Sequence, residues 1–318
     1  MATASILTIT LNPALDVTTS VGQVRPQQKL RCGTPRYDTG GGGVNVSRAI
    51  KELGGESRMF VALGGAAGQH YRGLLGATGI ETEIWDVAGE TRFSLTVMEG
   101  SSGKQFRFVL PGPEQPPDAA DALLAALGRS MDDGVRFVVA SGRVLPGLPP
   151  DLYARVAAEA RRRGVVLILD TSGPSLPAAL AGRPYLVKMD HYEAQEFLDT
   201  SDEPSAVAHA AVDEIIGRGA ADAVIVTIGE DGAIVATADM RVQIRPPQVE
   251  MVSAVGAGDS FTAALTLGLA KGWPLEVASR FGVAAAASSV TKAATQLCDR
   301  AQTLDFFDRI AGSVVQLA

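Results

Sequence analysis

Short apolar runs of strand length alternate with alanine-rich stretches of helical period along most of this chain, and that alternation predicts an α/β fold. Residues 5–11 alternate as a strand and stop at Asn12-Pro13, so Asp16 falls just past a strand end, where open α/β sheets collect their ligands. A strand is predicted over 58–65 and a helix over 69–77. Further strands at 135–140, 165–170, 185–188 and 223–228, separated by helices near 152–163 and 207–217, indicate a parallel sheet. Asp170 and Lys188 end two of those strands. A hairpin over 233–244 and helices near 275–290 and 304–315 complete the pattern.

Two regions break the rhythm. Residues 17–37 are polar, carry Lys29, Arg31 and Arg36, and show no helical period. Residues 80–87, 91–99 and 104–110 form three alternating segments with no helix between them, which reads as a β-meander holding Arg92 and Arg107. Together these regions predict a small sheet that covers a cleft. The expected organisation is one domain over 1–318 with lid segments at about 17–37 and 80–110.

Composition narrows the function. The chain has 318 residues, 46% of them hydrophobic, and a net charge of −7 without a long run of either sign. That excludes nucleic acid or an anionic membrane as the main partner, so any affinity for phosphate must be local. No apolar run reaches the ~18 residues of a membrane helix, and Met1 to Leu11 reads as a first strand instead of a leader. Two distant cysteines, Cys32 and Cys298, point to a reduced, cytoplasmic setting.

Two glycine-rich turns open helices. Gly256-Ala257-Gly258-Asp259 precedes a stretch in which Phe261, Ala264, Leu265 and Gly268 recur at helical spacing. A helix start bares backbone N–H groups and a partial positive charge, and glycine lets a phosphate approach. A carboxylate beside such an anion hole suits phosphoryl transfer, where it takes a proton from the attacking hydroxyl. Helix capping by Asp259 or Ser260 explains the same residues, and this stretch alone does not separate the two. The run Gly40 to Gly43, followed by Val44 and Asn45, is the second turn. Four glycines maximise the entropy cost of folding, which implies a close approach by something else. The Gly40 to Gly43 run does not fit the dinucleotide fingerprint, whose third glycine would fall on Asn45, and the P-loop signature is absent from the whole chain. Asp190 and Glu193 can present two carboxylates to a metal through water, although acids at a helix start are favoured by the helix dipole anyway.

These motifs, Val255-Gly-Ala-Gly-Asp259-Ser and Gly40 to Gly43 with Val-Asn45-Val, resemble those of the ribokinase-like sugar kinases of the phosphofructokinase-B (PfkB) family, over essentially the whole chain. Finer features, among them Thr10 to Asp16, Lys29 to Cys32 and Phe106 to Gly112, resemble the minor-type 6-phosphofructokinases of bacteria. The resemblance implies a mostly parallel sheet flanked by helices, with a small β-sheet lid that also joins two subunits as a dimer. It implies an ATP-dependent kinase of a phosphorylated ketohexose, most simply fructose 6-phosphate. Tagatose 6-phosphate and fructose 1-phosphate kinases are the alternatives, and a sugar-phosphate sensor without catalysis is a third.

By match to the family's motifs, Asp259 is expected as the base, with the amides of Gly256, Ala257, Gly258 and Asp259 holding the transferred phosphoryl. Asp16, Gly41, Gly42 and Asn45 are expected at the sugar hydroxyls, and Lys29, Arg92, Arg107 and Arg143 at the sugar's phosphate. Lys188, Thr227, Gly229 and Gly232 are expected to line the ATP site. Glu193, Asp190 and Asp170 are expected to order magnesium, largely through water, and carbonyls near Ser253 and Val255 to hold a monovalent cation such as potassium. Asp190 stands where the family has asparagine, Met189 where it has proline, and Arg143 where it has serine.

Overall fold

The structure is a computed structural model that describes residues 5–132, 134–293 and 296–317. Met1 to Ala4, at the head of the expected first strand, lie outside the described residues.

β1 (Ile6–Thr10), β2 (Ala14–Val21) and β3 (Arg36–Gly40) precede α1 (Gly42–Glu52). β4 (Arg58–Leu63), α2 (Gly65–Gly76), β5 (Thr82–Asp86), β6 (Arg92–Glu99), β7 (Gln105–Val109) and α3 (Ala119–Asp132) follow. The βα alternation continues with β8 (Phe137–Ser141), α4 (Leu152–Arg162), β9 (Val166–Asp170), α5 (Ser175–Leu180), β10 (Leu186–Asp190), α6 (His191–Leu198), α7 (Pro204–Gly217) and β11 (Ala223–Thr227). After β12 (Ala233–Thr237) and β13 (Arg241–Ile244) come α8 (Ala257–Ala270), α9 (Leu275–Val290), α10 (Arg300–Arg309) and β14 (Val314–Gln316).

Among the described residues ten strands form one sheet, in the order β14-β13-β12-β11-β10-β9-β8-β1-β4-β5. From β5 to β11 every neighbour is parallel, and β12 to β14 extend that edge antiparallel. β1, β4 and β8 are buried at every position, because helices cover both faces of the sheet. Ile6 packs with Val46 and Ile50 of α1 and Phe261 of α8, whereas Leu7 and Ile9 pack with Leu123 of α3 and Val156 of α4. That two-sided burial holds the C-terminal ends of β1, β8, β9 and β10 in one rigid row. No described helix is long and apolar enough to cross a membrane.

Four strands, in the order β3-β2-β6-β7, make a separate small sheet. β2 and β6 run parallel in register, with Asp16 beside Ser94, and β3 and β7 flank them antiparallel. Its strands span Ala14–Gly40 at one side and Arg92–Val109 at the other, a correction to the expected lid segments. The 80–87 segment is not in the lid: β5 closes a crossover through α2 and pairs parallel with β4 at the edge of the large sheet. An edge strand with one solvated face alternates just as a lid strand does, so period alone could not separate them. The expected meander is therefore a single hairpin, β6–β7.

Two helix boundaries also differ. α2 begins at Gly65, four residues before the expected start, because the Glu90 carboxylate accepts from the N–H groups of Ala66 (3.2 Å) and Ala67 (3.0 Å). That cap arrives from a distant loop and leaves no local signal. The helix expected over 304–315 is α10 followed by β14, whose Val314 and Gln316 are paired by β13.

Candidate active site

The carboxyl ends of β8, β9 and β10, the starts of α1 and α8, and the inner face of the small sheet enclose a cleft of about 410 Å³. The location obeys the rule for open α/β sheets, in which ligands sit beyond the strand ends. Asp16, Gly41, Gly42, Asn45, Arg92, Arg107, Arg143, Asp170, Lys188, Asp190, Glu193, Val255, Gly256 and Asp259 all line it, so most of the expected site comes together.

At one wall α8 starts from Gly256, which sits at φ 81°, a left-handed backbone that favours glycine. Ala257 turns its N–H back to the Ala254 carbonyl at 3.3 Å. The N–H groups of Gly258 and Asp259, as helix-start amides, have no intrahelical acceptor. Asp259 Oδ2 accepts from Asn45 Nδ2 at 2.9 Å, so the two glycine turns are joined through their side chains. Burial, and then the nearby Asp170 charge, push the Asp259 carboxyl up to about 6, against the opposing pull of Asn45, Lys188 and Arg48. A carboxyl so placed accepts a proton at neutral pH more readily than an ordinary aspartate.

The glycine run is walled in. Tyr71 Oη donates to the Gly40 carbonyl at 2.8 Å, and Gly41 takes φ 132° at the entry to α1. At Gly42 an added Cβ would collide with the Ser141 side chain and stand 3.3 Å from Asp259 Oδ1. The missing side chain is the space into which Oδ1 faces.

Opposite, on the small sheet, Asp16 lies between Arg107 and Arg92. Burial raises its carboxyl to about 6, and Arg107, Arg92 and a hydrogen bond to Ser94 hold that rise down. Asn12 orients Arg92, whose Nε donates to the Asn12 side chain at 3.1 Å and its carbonyl at 3.3 Å. Arg143 reaches over from β8 toward Ser172 Oγ (3.4 Å) and Glu196 (3.9 Å), and its side chain stays 60% exposed. Three guanidinium groups therefore line a cleft that Asp259, Asp170, Asp190 and Glu193 also line.

At the floor, Lys188 Nζ lies 3.3 Å from Asp170 Oδ2 and points at α8, where a Cβ on Gly258 would stand only 2.8 Å from it. Burial works against the Lys188 charge, yet Asp170, Glu193, Asp259 and Asp190 outweigh it and raise the ammonium above its ordinary value. Asp170 is committed: it also accepts from Thr262 Oγ1 at 3.0 Å. Asp190 and Glu193 form a capping box, with Asp190 Oδ1 accepting from the Glu193 N–H (2.8 Å) and Glu193 Oε2 from the Asp190 N–H (2.9 Å). Capping and cleft lining are thus compatible, since each carboxylate keeps a second oxygen. Burial and the Asp170 charge push Glu193 up to about 7.

Several expected residues stand elsewhere. Lys29 is exposed on the 22–35 connection and does not line the cleft. Thr227, whose Oγ1 donates to the Met189 carbonyl at 3.5 Å, ends β11 one strand beyond β10, and Gly229 and Gly232 bracket the turn after it. Ser253 lies outside the cleft wall and orients Val255, whose N–H donates to Ser253 Oγ at 3.2 Å. Ser94, Ser141 and Thr171 line the cleft unanticipated. Ser141 and Thr171 sit at or just past strand ends, a position that the strand-end rule could have flagged; Ser94 required knowledge of the β2–β6 pairing.

The sequence profile of the pfkB family carbohydrate kinases matches residues 7–302. The chain is 42% identical over 310 residues to the ATP-dependent 6-phosphofructokinase isozyme 2 of Mycobacterium tuberculosis, covering 96% of this chain and 90% of that protein. It is 37% identical over 300 residues to the Escherichia coli protein of the same name, covering 94% and 96%. The crystal structure of Escherichia coli phosphofructokinase-2 in complex with potassium superposes with a TM-score of 0.89 at 34% identity, covering 98% of this chain and all of that one. The profile match over most of the chain and these relatives show that the chain belongs to the pfkB family of carbohydrate kinases, which move a phosphoryl group onto a sugar alcohol.

Proposed function

We propose that this protein phosphorylates fructose 6-phosphate with ATP to give fructose 1,6-bisphosphate, in the cytoplasm. The observation that carries the reading is Asp259 held by Asn45 across from Arg92, Arg107 and Arg143: a base at one end of the cleft and phosphate-binding groups at the other. A sugar that already bears a phosphate fits both ends. The names of the two relatives above support the same choice.

In this reading Asp16 and Asn45 bind sugar hydroxyls, and Asp259 Oδ1 takes the proton of the attacking hydroxyl as its oxygen bonds to the γ-phosphorus. The bond from phosphorus to the departing ADP oxygen breaks. Lys188 and the α8 amides offset the charge that moves through the transition state. The small sheet excludes water, which would otherwise compete for the phosphoryl group. Thr227, Gly229 and Gly232 lie outside the cleft, one strand beyond Lys188, and in this reading ATP reaches past the cleft to them.

Asp190 and Glu193 supply hard oxygen donors for magnesium, and no three His, Cys, Asp or Glu side chains converge as a direct cage among the described residues. That fits an ion held mainly by water and phosphate oxygens. Magnesium supplies charge neutralisation to the triphosphate. Asp170, with Lys188 and Thr262 already on it, serves better as the counter-ion of Lys188 than as a magnesium group. For a monovalent cation, the loop of Ser253 and Val255 fits: beside Gly256 the buried Ser289 Oγ has no hydrogen-bond partner among the described residues and the Gln296 carbonyl stands near. On the face of the small sheet opposite Asp16, Phe93 and Phe108 are 36% and 52% exposed, apolar surface suited to a second copy of the chain in a homodimer.

Arg143 favours one second reading, a kinase of tagatose 6-phosphate or fructose 1-phosphate, because an added guanidinium alters the phosphate end. The test is ADP formation with MgATP and each of the three sugars, compared by kcat/KM with and without potassium. Preference for fructose 6-phosphate is expected. Preference for another sugar replaces the substrate, and no ADP with any of them leaves a sugar-phosphate-binding protein.

A further inference from the structure

Asn45 and Arg48 are three residues apart on α1, so their side chains share one face of the helix. Arg48 Nη1 donates to Asn45 Oδ1 at 3.3 Å, and Asn45 Nδ2 donates to Asp259 Oδ2 at 2.9 Å. The chain of contacts runs from the flank of α1 to the start of α8, and Arg48 itself does not line the cleft. An asparagine amide has one accepting end and one donating end. Turned over, Asn45 would set its oxygen against a carboxylate and lose the bond. A guanidinium only donates, so it accepts no orientation but the one with the amide oxygen toward it.

We propose that Arg48 is a positioning residue for catalysis: it locks the Asn45 amide so that Asn45 occupies Oδ2 of Asp259 and leaves Oδ1, facing the space at Gly42, as the oxygen that takes the proton. The proposal rests on the reading of Asp259 as the base. It divides the carboxylate into a tethered oxygen and a reactive one, and it ties the base to the glycine turn that holds the sugar, so that the two move together. The charged groups that face Asp259 are Asp170 from β9, Lys188 from β10 and Arg48 from α1. Asp170 opposes ionisation of the base, whereas Lys188 and Arg48 favour it. Loss of Arg48 thus removes both the lock and one of two stabilising cations.

The experiment compares wild type, R48M, R48K and D259N by kcat and KM across pH 5–9, with melting curves to establish folding. R48M is expected to lower kcat about tenfold with the KM for ATP unchanged, and to move the acid limb of kcat upward by about half to one pH unit. R48K, which keeps charge and donors, is expected to restore most of both. An acid limb in R48M identical to wild type overturns the proposal, as does an R48K enzyme no better than R48M. If R48M does not fold, R48Q takes its place, and an unshifted acid limb there is equally fatal. D259N separates the two claims: wild-type kcat in D259N removes the base reading, while an inactive D259N with an unshifted R48M removes the role of Arg48 alone.

Discussion

Lys188 Nζ lies 3.3 Å from Asp170 Oδ2, and the two residues are only 4% and 8% exposed. A buried pair of this kind holds because each charge compensates the other. Removing the cation leaves Asp170 facing Asp259 and Glu193 with no counter-ion. K188M should therefore lose about 3–5 kcal/mol of stability in denaturant unfolding, and the K188M/D170N double variant should recover much of it. Both should be catalytically impaired, because Nζ sits beside the start of α8. Equal instability of single and double variants would show that the pairing is incidental.

The same pair is legible in the sequence alone. Asp170 and Lys188 were visible as strand-end residues because the strands that carry them are apolar runs bounded by turns, and strand ends in a parallel sheet converge. Asp259, Gly256 and the Gly40 to Gly43 run were visible because glycine before a helix has a physical purpose. What was hidden depended on partners far away in sequence. β5 reads as a lid strand because its edge position comes from pairing with β4, and the start of α2 depends on Glu90 from another loop. Lys29 lies on a connection whose course no periodicity describes. Arg48 carried no signal of its own, since an arginine three residues after Asn45 on an amphipathic helix reads as surface until Asp259 is found across the gap.

Gly42 makes a steric prediction. In G42A the new Cβ meets the Ser141 side chain, 2.9 Å from its Cβ, and lies 3.3 Å from Asp259 Oδ1. The Ser141 hydroxyl would have to swing away and the walls part as well, beside the proposed base, and displacements near 1 Å can cost about 100-fold in rate. We expect kcat/KM to fall roughly 10- to 100-fold with the fold intact. G73A is the control: Gly73 is exposed on α2 with nothing within 4 Å of its Cβ position. It should leave kinetics unchanged and gain up to about 1 kcal/mol from helix propensity. Wild-type kcat/KM in G42A would mean that the cleft is looser than its contacts imply.

Activity and stability should run in opposite directions with pH. Burial raises the Asp259 carboxyl from an ordinary 3.8 to about 6, and as the proposed base it works only when ionised, so kcat/KM should climb as pH rises through about 6. Folding favours the protonated form of a group whose value is raised in the folded state. Its contribution is complete below about 4 and is lost as pH rises through about 6, an amount of up to about 3 kcal/mol. D259N has no charge to bury, so it should be more stable than wild type at pH 8, and its advantage should shrink to nothing toward pH 4. Asp16 and Glu193, raised to about 6 and about 7, are present in both proteins, and the difference between the two isolates Asp259. Denaturant melts of the two proteins at pH 4.5, 6 and 8 give the comparison directly. A D259N advantage that is the same at all three pH values would mean that the carboxyl is not desolvated, and the acid limb of activity would then need another owner.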